Sequence, residues 1–304
     1  MLTYGNAFYQ LKEKLQSLYE EGEASSIAHS LMESITSLNK MDRLDKKDKA
    51  FTQRQQDVYN RATEELVKGK PIQYVTNGAW FMGREFMVNE HVLIPRPETE
   101  ELVQWITDDL KAREDEKIKI IDIGTGSGCI ALSLFRMLPH PVLTCLDISA
   151  EALNVLQTNI EWVLGEEEKD KHPENIRVAA IDFLDEAVRN KELGRYDIIV
   201  SNPPYIPKSE KKKMRVNVTN YEPHIALFVP DKDPLVFYKA LADFGKKHLR
   251  TEGYVYCELD AGHAEESKAL FEQEGYAEVE IRKDMHGNWR MLKAALGDKE
   301  ISNG

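Results

Sequence analysis

Two hydrophobic periodicities divide the chain. From about residue 6 to residue 67, apolar residues recur at intervals of three and four positions, beginning with Phe8, Leu11, Leu15 and Leu18. That spacing places them on one face of a helix, because an α-helix has about 3.6 residues per turn. Beyond Pro97, short apolar runs of strand type alternate with helical stretches. The pattern therefore predicts a small helical-bundle domain, residues 1–70, and a larger α/β domain, residues 96–304.

Residues 71–95, between these two domains, follow a third pattern. Aromatic side chains such as Trp80 and Phe86 are interrupted by Asn77-Gly78 and by Gly83. Asn-Gly pairs between apolar runs are typical of the tight turns of β-hairpins. We therefore expect this segment to be a β-hairpin linker.

The strand-like runs of the α/β part predict one sheet. They are residues 118–123, 142–146, 176–181, 197–200, 254–259, 277–282 and 289–295. Because helical stretches separate the first five runs, these strands should lie mainly parallel, with helices on the faces of the sheet. The last two runs flank the turn-rich residues 284–288 and are expected to close the sheet as an antiparallel hairpin.

A glycine-rich loop follows the first of these strands. Gly124, Gly126 and Gly128 stand between the strand and a helical stretch, where glycine permits positive φ and lets a ligand approach main-chain N–H groups. The next strand ends at Asp147, where an acid can accept hydrogen bonds from both ribose hydroxyls. A nucleoside cofactor is therefore expected, with a tight turn that binds no ligand as the alternative. The G-x-G-x-G spacing leaves a nicotinamide cofactor and S-adenosylmethionine both open.

The segment Ser201-Asn202-Pro203-Pro204-Tyr205 follows the apolar run 196–200. Consecutive prolines fix their own φ and restrict the residue before them, so the backbone sets the carbonyl directions here. The side-chain oxygen of Asn202 and the main-chain oxygen of Pro203 could each accept one N–H of a planar amide or amine, while Tyr205 packs on its plane. Such a clamp would aim the nitrogen lone pair at an electrophilic methyl group. The alternative is that the prolines only end the strand.

Together these segments resemble the HemK/PrmC family of release factor glutamine methyltransferases, from about Pro71 to the C-terminus. The most discriminating match is Ile94-Pro95-Arg96-Pro97-Glu98-Thr99-Glu100, and Tyr221-Glu222-Pro223-His224 is a further one. The resemblance implies an α/β fold, a Rossmann-like seven-stranded class I S-adenosylmethionine-dependent methyltransferase domain. It also implies that the preceding helical domain docks the release factor.

The resemblance further implies roles for individual residues. The substrate would be the glutamine of a Gly-Gly-Gln loop in class 1 peptide chain release factors, and its side-chain nitrogen N5 would be methylated. The residues expected to bind this glutamine are Asn202, Pro203, Pro204 and Tyr205. Of these, Asn202, Pro203 and Tyr205 would be catalytic. The methyl donor would be S-adenosyl-L-methionine, and S-adenosyl-L-homocysteine would be the second product. The residues expected to contact this cofactor are Gly124, Thr125, Gly126, Ser127, Gly128, Asp147, Phe183 and Asn202. Arg96 would either orient the substrate or form a structural salt bridge. No metal site is expected.

The net charge of the chain bears on which kinds of partner and substrate it binds. The 304 residues carry a formal net charge of −12, which argues against general attraction to nucleic acid or to anionic membranes. A DNA or RNA base N-methyltransferase is the first rival, because exocyclic amines are also planar. The second rival is a nicotinamide-dependent oxidoreductase, or a cofactor-binding module without catalysis. The basic run from Lys208 to Arg215 is either a solvated face or a docking site for the release factor.

Composition also bears on location. No stretch approaches the ~20 apolar residues that span a bilayer, and the first residues lack the pattern of a signal peptide. The three cysteines show no C-x-x-C spacing, which disfavours a disulfide framework and a zinc site. We expect a cytoplasmic, monomeric enzyme.

Overall fold

The computed structural model describes residues 2–113, 116–165 and 175–297. The chain forms two compact units. One contains Met1–Gly78 together with Arg215–Tyr221, and the other contains Ala79–Met214 and Glu222–Gly304. Residues 298–304, the end of the predicted α/β domain, lie outside the described part of the chain.

The smaller unit is helical. Its helices are α1 (Tyr4–Leu15), α2 (Glu21–Thr36), α3 (Lys40–Asp45), α4 (Gln53–Leu66), α5 (Ile72–Thr76) and a further helix at Val216–Tyr221. Leu11 and Leu15 of the predicted apolar face are fully buried, and Phe8 packs partly buried against the same core. The Tyr59 hydroxyl of α4 donates a hydrogen bond to the Ala7 carbonyl oxygen of α1 at 2.8 Å. The predicted period therefore matches the buried face along α1, but Leu18 of the predicted series lies beyond the end of the helix and is 50% exposed.

The segment Arg215–Tyr221 packs within this helical unit, although its neighbours in sequence belong to the larger one. Arg215 Nη1 lies 2.9 Å from Glu23 Oε1 on α2, and the Tyr221 hydroxyl donates to the Lys68 carbonyl oxygen at 3.0 Å. Arg215 thus belongs to the helical unit, whereas the lysines of the basic run form the 3-10 helix Lys208–Lys213 of the larger unit.

The hairpin is shorter than the linker predicted for residues 71–95. Its strands are β1 (Gly78–Phe81) and β2 (Arg84–Met87), and the residues before it form α5. Asn77 does not turn the hairpin, because it ends α5 in the left-handed conformation with φ 56°. The turn lies at Met82 and Gly83, which both have positive φ, as this type of two-residue turn requires. Phe81 and Phe86 pack edge to face in the core of the larger unit.

The larger unit is built on one seven-stranded sheet. Its strands are β3 (Ile118–Ile123), β4 (Pro141–Asp147), β5 (Ile176–Ala180), β6 (Tyr196–Ser201), β9 (Leu249–Glu258), β10 (Tyr276–Lys283) and β11 (Trp289–Leu296), while β7 (Ile206–Pro207) and β8 (Phe228–Val229) pair separately. The order is β10-β11-β9-β6-β3-β4-β5. β11 is antiparallel to both of its neighbours, and the remaining pairs are parallel. The predicted mainly parallel seven-stranded fold is confirmed.

Helices cover the sheet on both faces. They are α6 (Pro97–Asp109), α7 (Cys129–Met137), α8 (Ala150–Leu164), α9 (Glu186–Glu192), α11 (Val236–His248) and α12 (Ala264–Gln273), and α10 is the helix Val216–Tyr221 of the smaller unit. Ile120 and Ile121 of β3 belong to two different buried clusters, because successive side chains of a strand point to opposite faces. Of the helices in the described ranges, none has the length and apolar character needed to cross a membrane.

Candidate active site

The carboxyl ends of β3 and β6 lie side by side at the centre of the sheet. β4 and β5 extend the sheet on one side of β3, and β6 lies on its other side. Open α/β sheets bind their ligands at such a switch point. Ile123 of β3 pairs in register with Ser201 of β6, and the Ser201 hydroxyl donates to the Ile123 carbonyl oxygen at 2.7 Å. The glycine loop and the Asn-Pro-Pro-Tyr segment therefore start from neighbouring strand ends.

A cavity of about 340 Å³ opens at these strand ends, and its size suits a small-molecule ligand. All of its lining residues belong to the larger unit. The predicted site residues among them are Arg96, Gly124, Thr125, Gly126, Ser127, Asp147, Phe183, Asn202, Pro203 and Pro204. Gly128 and Tyr205 are not among the lining residues. The fold thus brings most of the predicted site together around one space.

The loop between β3 and α7 forms an open cradle. Gly124 and Gly126 line the cavity with φ of 72° and 53°, a backbone conformation that favours glycine. A Cβ added at either glycine would meet no atom within 4 Å. The space in front of the loop therefore suits a ligand that lies directly against the backbone.

Asp147, at the end of β4, braces this loop. Its Oδ2 accepts a hydrogen bond from the Gly126 N–H and its Oδ1 accepts one from the Ser149 N–H, both at 2.9 Å. Burial raises the pKa of Asp147, although these backbone donors act in the opposite direction. A carboxylate offers about four acceptor positions, so both oxygens can still accept hydroxyl donors. The geometry fits the predicted ribose contact.

Phe183 supplies an apolar wall of the cavity. Its buried ring contacts Phe244 edge to face, with centroids 5.4 Å apart, and its carbonyl oxygen accepts a hydrogen bond from Arg189 Nη1 at 3.1 Å. Asp182 beside it is exposed, and its Oδ1 accepts the Leu184 N–H at 2.9 Å. An aromatic edge or face held in this way suits a purine base. The cradle, Asp147 and Phe183 together fit the adenosine part of S-adenosylmethionine.

The Asn202 side chain is held by a hydrogen-bond chain. Asn202 Nδ2 donates to Thr99 Oγ1 at 3.3 Å, and the Thr99 hydroxyl donates to Glu258 Oε2 at 2.6 Å. The Tyr205 hydroxyl donates to the other carboxylate oxygen, Glu258 Oε1, at 3.1 Å. Thr99 and Glu258 are both buried. This arrangement uses the nitrogen of the Asn202 amide and leaves its oxygen for a further hydrogen bond.

Arg96 forms a salt bridge with a buried acid. Its Nη2 lies 2.6 Å from Glu222 Oε1, and the Glu222 side chain is only 1% exposed. Glu222 Oε2 also accepts the Ile94 N–H at 3.3 Å. The pair therefore joins the segment around Arg96 to the segment that begins at Tyr221. The structural salt bridge considered from the sequence is present, and Arg96 also lines the cavity.

Two family models match the chain. They are the PrmC N-terminal domain over residues 6–76 and the Methyltransferase small domain over residues 99–220. A release factor glutamine methyltransferase from Flavobacterium psychrophilum is 38% identical over 287 residues, which cover 93% of this chain and 96% of that protein. The chain belongs to the release factor glutamine methyltransferase family.

A second relative in this family shows a similar match. The release factor glutamine methyltransferase of Bacteroides thetaiotaomicron is 37% identical, covering 93% of this chain and 97% of that protein. The solved structure of the hMettl16 catalytic domain in complex with MAT2A 3'UTR hairpin 1 has a TM-score of 0.52 at 17% identity, covering 82% of this chain and 83% of that one. That likeness shows the fold alone. The relatives, in contrast, confirm the family resemblance predicted from the sequence.

Gly128 and Tyr205 have structural contacts and do not line the cavity. Gly128 is the N-cap of α7 with φ 80°, and an added Cβ would lie 2.3 Å from Leu156 Cδ1 of α8. Close packing of the loop on α8 therefore requires glycine there. Tyr205 is partly buried against the core, with its hydroxyl on Glu258. Contact of Gly128 with the cofactor and of Tyr205 with the substrate stay predictions.

The residues predicted from the sequence to bind the cofactor or the substrate do not include Thr99 or Glu258, and for Glu258 the sequence predicts only the orientation of a loop or a structural hydrogen bond. Thr99 stands inside the discriminating signature, and Glu258 stands at a strand end, so both positions carried a weak signal. Thr99 accepts from Asn202 and donates to Glu258, so these two hydrogen bonds join three distant parts of the chain. Only the packing of α6 against the ends of β6 and β9 shows that they belong to the site.

Proposed function

We propose that this enzyme transfers a methyl group from S-adenosylmethionine to N5 of the glutamine in the Gly-Gly-Gln loop of class 1 peptide chain release factors. The observation that carries the proposal is the hydrogen-bond chain that leaves Asn202 Oδ1 available beside the glycine cradle. An acceptor fixed at this point suits a substrate that brings N–H donors. The names of the relatives supply the substrate class. Release factors act on ribosomes, so the proposal places the enzyme in the cytoplasm.

In this proposal Asn202 and Pro203 orient the substrate amide. Asn202 Oδ1 and the main-chain oxygen of Pro203 each accept one N–H of the carboxamide, and Pro204 and Tyr205 support the segment that carries these acceptors. Amide nitrogen is a poor nucleophile because its lone pair is delocalised, and two fixed acceptors favour the geometry in which the lone pair can react. No base has to remove a proton before the reaction, since the methylated nitrogen is positively charged and releases one proton to solvent afterwards.

The cofactor would be held by the residues around the cradle. The set comprises Gly124, Thr125, Gly126, Ser127, Gly128, Asp147, Phe183 and Asn202. When bound, S-adenosylmethionine supplies an electrophilic methyl group and leaves as S-adenosylhomocysteine. The glycine backbone and Asp147 bind the nucleoside, and Phe183 shields the base from water. Arg96, fixed by Glu222, orients the substrate side of the same cavity.

The helical unit, in this proposal, docks the release factor. It has a core of its own, so it can present a stable surface independently of the methyl-transfer site. Large apolar side chains on its helices are exposed, including Tyr9 at 65%, Met41 at 69% and Leu44 at 52%. Met41 and Leu44 stand three residues apart on α3, so they lie on one face of that helix, and neighbouring exposed apolar side chains mark a protein-binding surface better than single ones do. Docking on this unit would add affinity for the release factor beyond that of the loop glutamine.

Mass spectrometry of a purified release factor after incubation with the enzyme and S-adenosylmethionine tests the proposal. The expected result is one added methyl group on the loop glutamine, and none on a release factor whose loop glutamine is replaced by alanine. Asn202→Ala should lower kcat by about a hundredfold or more, because an orienting acceptor is lost. Calorimetry should still detect cofactor binding by this variant, since the glycine cradle and Asp147 are unchanged.

Three results would contradict the proposed function or its mechanism. Methyl label in purified DNA or RNA, with none in the release factor, would identify the enzyme as a base N-methyltransferase. Unchanged turnover by Asn202→Ala would refute the clamp. Calorimetric binding of NAD, with no binding of S-adenosylmethionine, would point to an oxidoreductase instead.

A further inference from the structure

Four side chains from separate parts of the larger unit form one hydrogen-bonded chain. Asn202 and Tyr205 follow β6, Thr99 lies in the first turn of α6, and Glu258 ends β9. The donor-to-acceptor distances are 3.3 Å from Asn202 to Thr99, 2.6 Å from Thr99 to Glu258 and 3.1 Å from Tyr205 to Glu258. Thr99 is 2% exposed and Glu258 is 3% exposed, so water does not compete strongly for these groups.

The direction of each hydrogen bond follows from the chemistry of the groups. An ionised carboxylate can only accept, so Glu258 takes the hydroxyl protons of both Thr99 and Tyr205. A hydroxyl has a single proton to donate. Thr99 has given its proton to Glu258, and its oxygen can therefore only accept from Asn202. The Asn202 amide must then turn its NH2 group towards Thr99 and keep its oxygen on the opposite side.

This orientation decides what the clamp can bind. An amide with its oxygen available accepts the N–H of a substrate carboxamide. The same side chain rotated by half a turn would present an NH2 group, and two donors would then face each other. A neutral amide alone has little preference between the two orientations, because its oxygen and nitrogen ends have nearly the same shape. The preference has to come from the partners.

We propose that Thr99 and Glu258 are positioning residues that hold the Asn202 amide in its acceptor orientation for methyl transfer. The inference rests on the proposed function. Neither residue contacts the reacting nitrogen; both act through Asn202. Glu258 fixes the direction of the Thr99 hydroxyl, and Thr99 fixes the amide. Tyr205 completes the set by occupying the second oxygen of Glu258, which leaves the carboxylate with a donor on each oxygen.

Burial of a carboxylate at this point is costly, and the surroundings reduce the cost. Burial raises the pKa of Glu258, whereas the Thr99 hydrogen bond, the positive charge of Arg290 and the Tyr205 hydrogen bond lower it. The negative charge of Glu98 acts in the same direction as burial. An apolar side chain would fill the same space without this cost. A carboxylate is the group that accepts from two hydroxyls at once, and the positioning role requires that property.

Thr99→Val tests the proposal, because it removes the hydroxyl and nearly preserves the shape of the side chain. We expect kcat for release factor methylation to fall about tenfold to a hundredfold, while the Kd for S-adenosylmethionine changes little. The melting temperature should fall, because Glu258 stays buried with one hydroxyl donor fewer, so rates are compared at a temperature at which both proteins are folded. Thr99→Ser restores the hydroxyl and should recover most of kcat. Thr107→Val is the matched control on the same helix, since its hydroxyl donates to the Val103 carbonyl oxygen one turn earlier at 2.8 Å and lies outside the chain of hydrogen bonds that ends at Asn202. It should leave kcat unchanged.

A double-mutant cycle separates positioning from simple packing. In Glu258→Leu the side chain has a similar volume but accepts from neither hydroxyl, so the proton of the Thr99 hydroxyl is no longer directed away from Asn202. This variant should lose kcat for the same reason as Thr99→Val. Because both act through Asn202, the double variant should be about as slow as the slower single variant. Multiplying losses would indicate independent effects and would overturn the proposal.

The remaining outcomes are distinct from failure of the proposed function. Thr99→Val with wild-type kcat would refute the positioning role and leave release factor methylation intact. Failure of Thr99→Ser to recover activity would show that the lost methyl group or packing matters, and would also refute it. A wild-type enzyme that leaves the release factor unmethylated in the same assay would overturn the proposed function and this inference together.

Discussion

At the residue scale, Asp122 shows how the core changes an ordinary carboxyl group. Asp122 lies one residue before the end of β3 and is fully buried. Its Oδ2 accepts a hydrogen bond from the Thr125 hydroxyl at 2.7 Å. Burial, with a smaller contribution from the charge of Asp147, raises the pKa of Asp122 to about 7. The folded protein therefore binds a proton at this carboxyl more tightly than the unfolded chain does.

This difference predicts a specific dependence of stability on pH. The unfolded chain releases the Asp122 proton near pH 3.8 and the folded protein near pH 7. The contribution of this group to the free energy of unfolding is therefore fully present below about pH 4 and falls by about 1.4 kcal/mol per pH unit up to about pH 7. Above about pH 7 it stays constant. Urea unfolding of the wild type and of Asp122→Asn across this range measures the slope.

Comparison with Asp122→Asn isolates the residue, because asparagine does not titrate and every other group is shared. The difference in unfolding free energy between the two proteins should change with the slope given above. A difference that is independent of pH would show that Asp122 is not a proton-binding group in the folded state.

Individual site residues could be found from the sequence, but the partners that orient them could not. Asn202 stands in a motif stiffened by proline, and Asp147 follows a glycine loop at a familiar distance, so local spacing identifies both. Thr99 and Glu258 reach Asn202 only because α6, β6 and β9 converge. The spacing of residues in a single sequence does not show that these three elements meet. The orientation of the Asn202 amide can therefore be read only from the structure.

At the element scale, alternation of apolar residues locates the strands, yet it misses one boundary. The run predicted at residues 254–259 is only the second half of β9, which begins at Leu249. Thr251-Glu252-Gly253 has the composition of a turn, and Glu252 has φ 60°. The pairing register with β6 is irregular between Tyr196 and Ile198. β9 therefore continues through a bulge and stays paired with β6 on both sides of it, although the local sequence suggests that the strand ends there.

The loop between β3 and α7 contains two glycines whose replacement by alanine should have different effects on stability and on cofactor binding. Gly126 and Gly128 have φ of 53° and 80°, so alanine adds similar backbone strain at both, about 1–2 kcal/mol. At Gly128 the new Cβ would also lie 2.3 Å from Leu156 Cδ1, whereas at Gly126 it meets nothing within 4 Å. We expect Gly128→Ala to lower the free energy of unfolding by a further ~1–3 kcal/mol. Gly126→Ala should instead weaken cofactor binding, because Gly126 lines the cavity.

Urea unfolding and calorimetric titration with S-adenosylmethionine distinguish these two effects. Each glycine serves as the control for the other, since the backbone strain is shared. Equal losses of stability in the two variants would contradict the contact with Leu156. A cofactor Kd that is weakened equally would contradict the assignment of the cavity face to Gly126.

At the scale of the whole molecule, the division of the chain into units only partly follows its order. The change from helical to strand-type periodicity predicts a helical region followed by an α/β sheet, and both are present. The segment Arg215–Tyr221 departs from this order, because it packs within the helical unit. The next residue, Glu222, belongs to the larger unit and binds Arg96. The sequence of this short segment has no feature that assigns it to either unit.

Separate units for docking and for chemistry predict separable kinetic effects. The double substitution Met41→Gln and Leu44→Gln removes exposed apolar surface from α3 of the helical unit. If the release factor docks there, its KM should rise roughly tenfold, while kcat stays nearly constant because binding is lost equally in the ground and transition states. Asn202→Ala should show the reverse pattern, with a large loss of kcat. Initial rates over a range of release factor concentrations measure both.

Trp162→Gln is a suitable control for this pair, because Trp162 is 66% exposed and lies in the larger unit. It sits in the last turn of α8, which starts at the carboxyl ends of the strands and runs back across the sheet, so it is remote from the cavity edge. It should change neither KM nor kcat. If KM is unchanged in the α3 variant but rises after Lys211→Glu with Lys212→Glu, docking belongs to the basic 3-10 helix of the larger unit. In that case the release factor would bind at residues 208–213, only a few residues after the substrate-binding segment that ends at Tyr205.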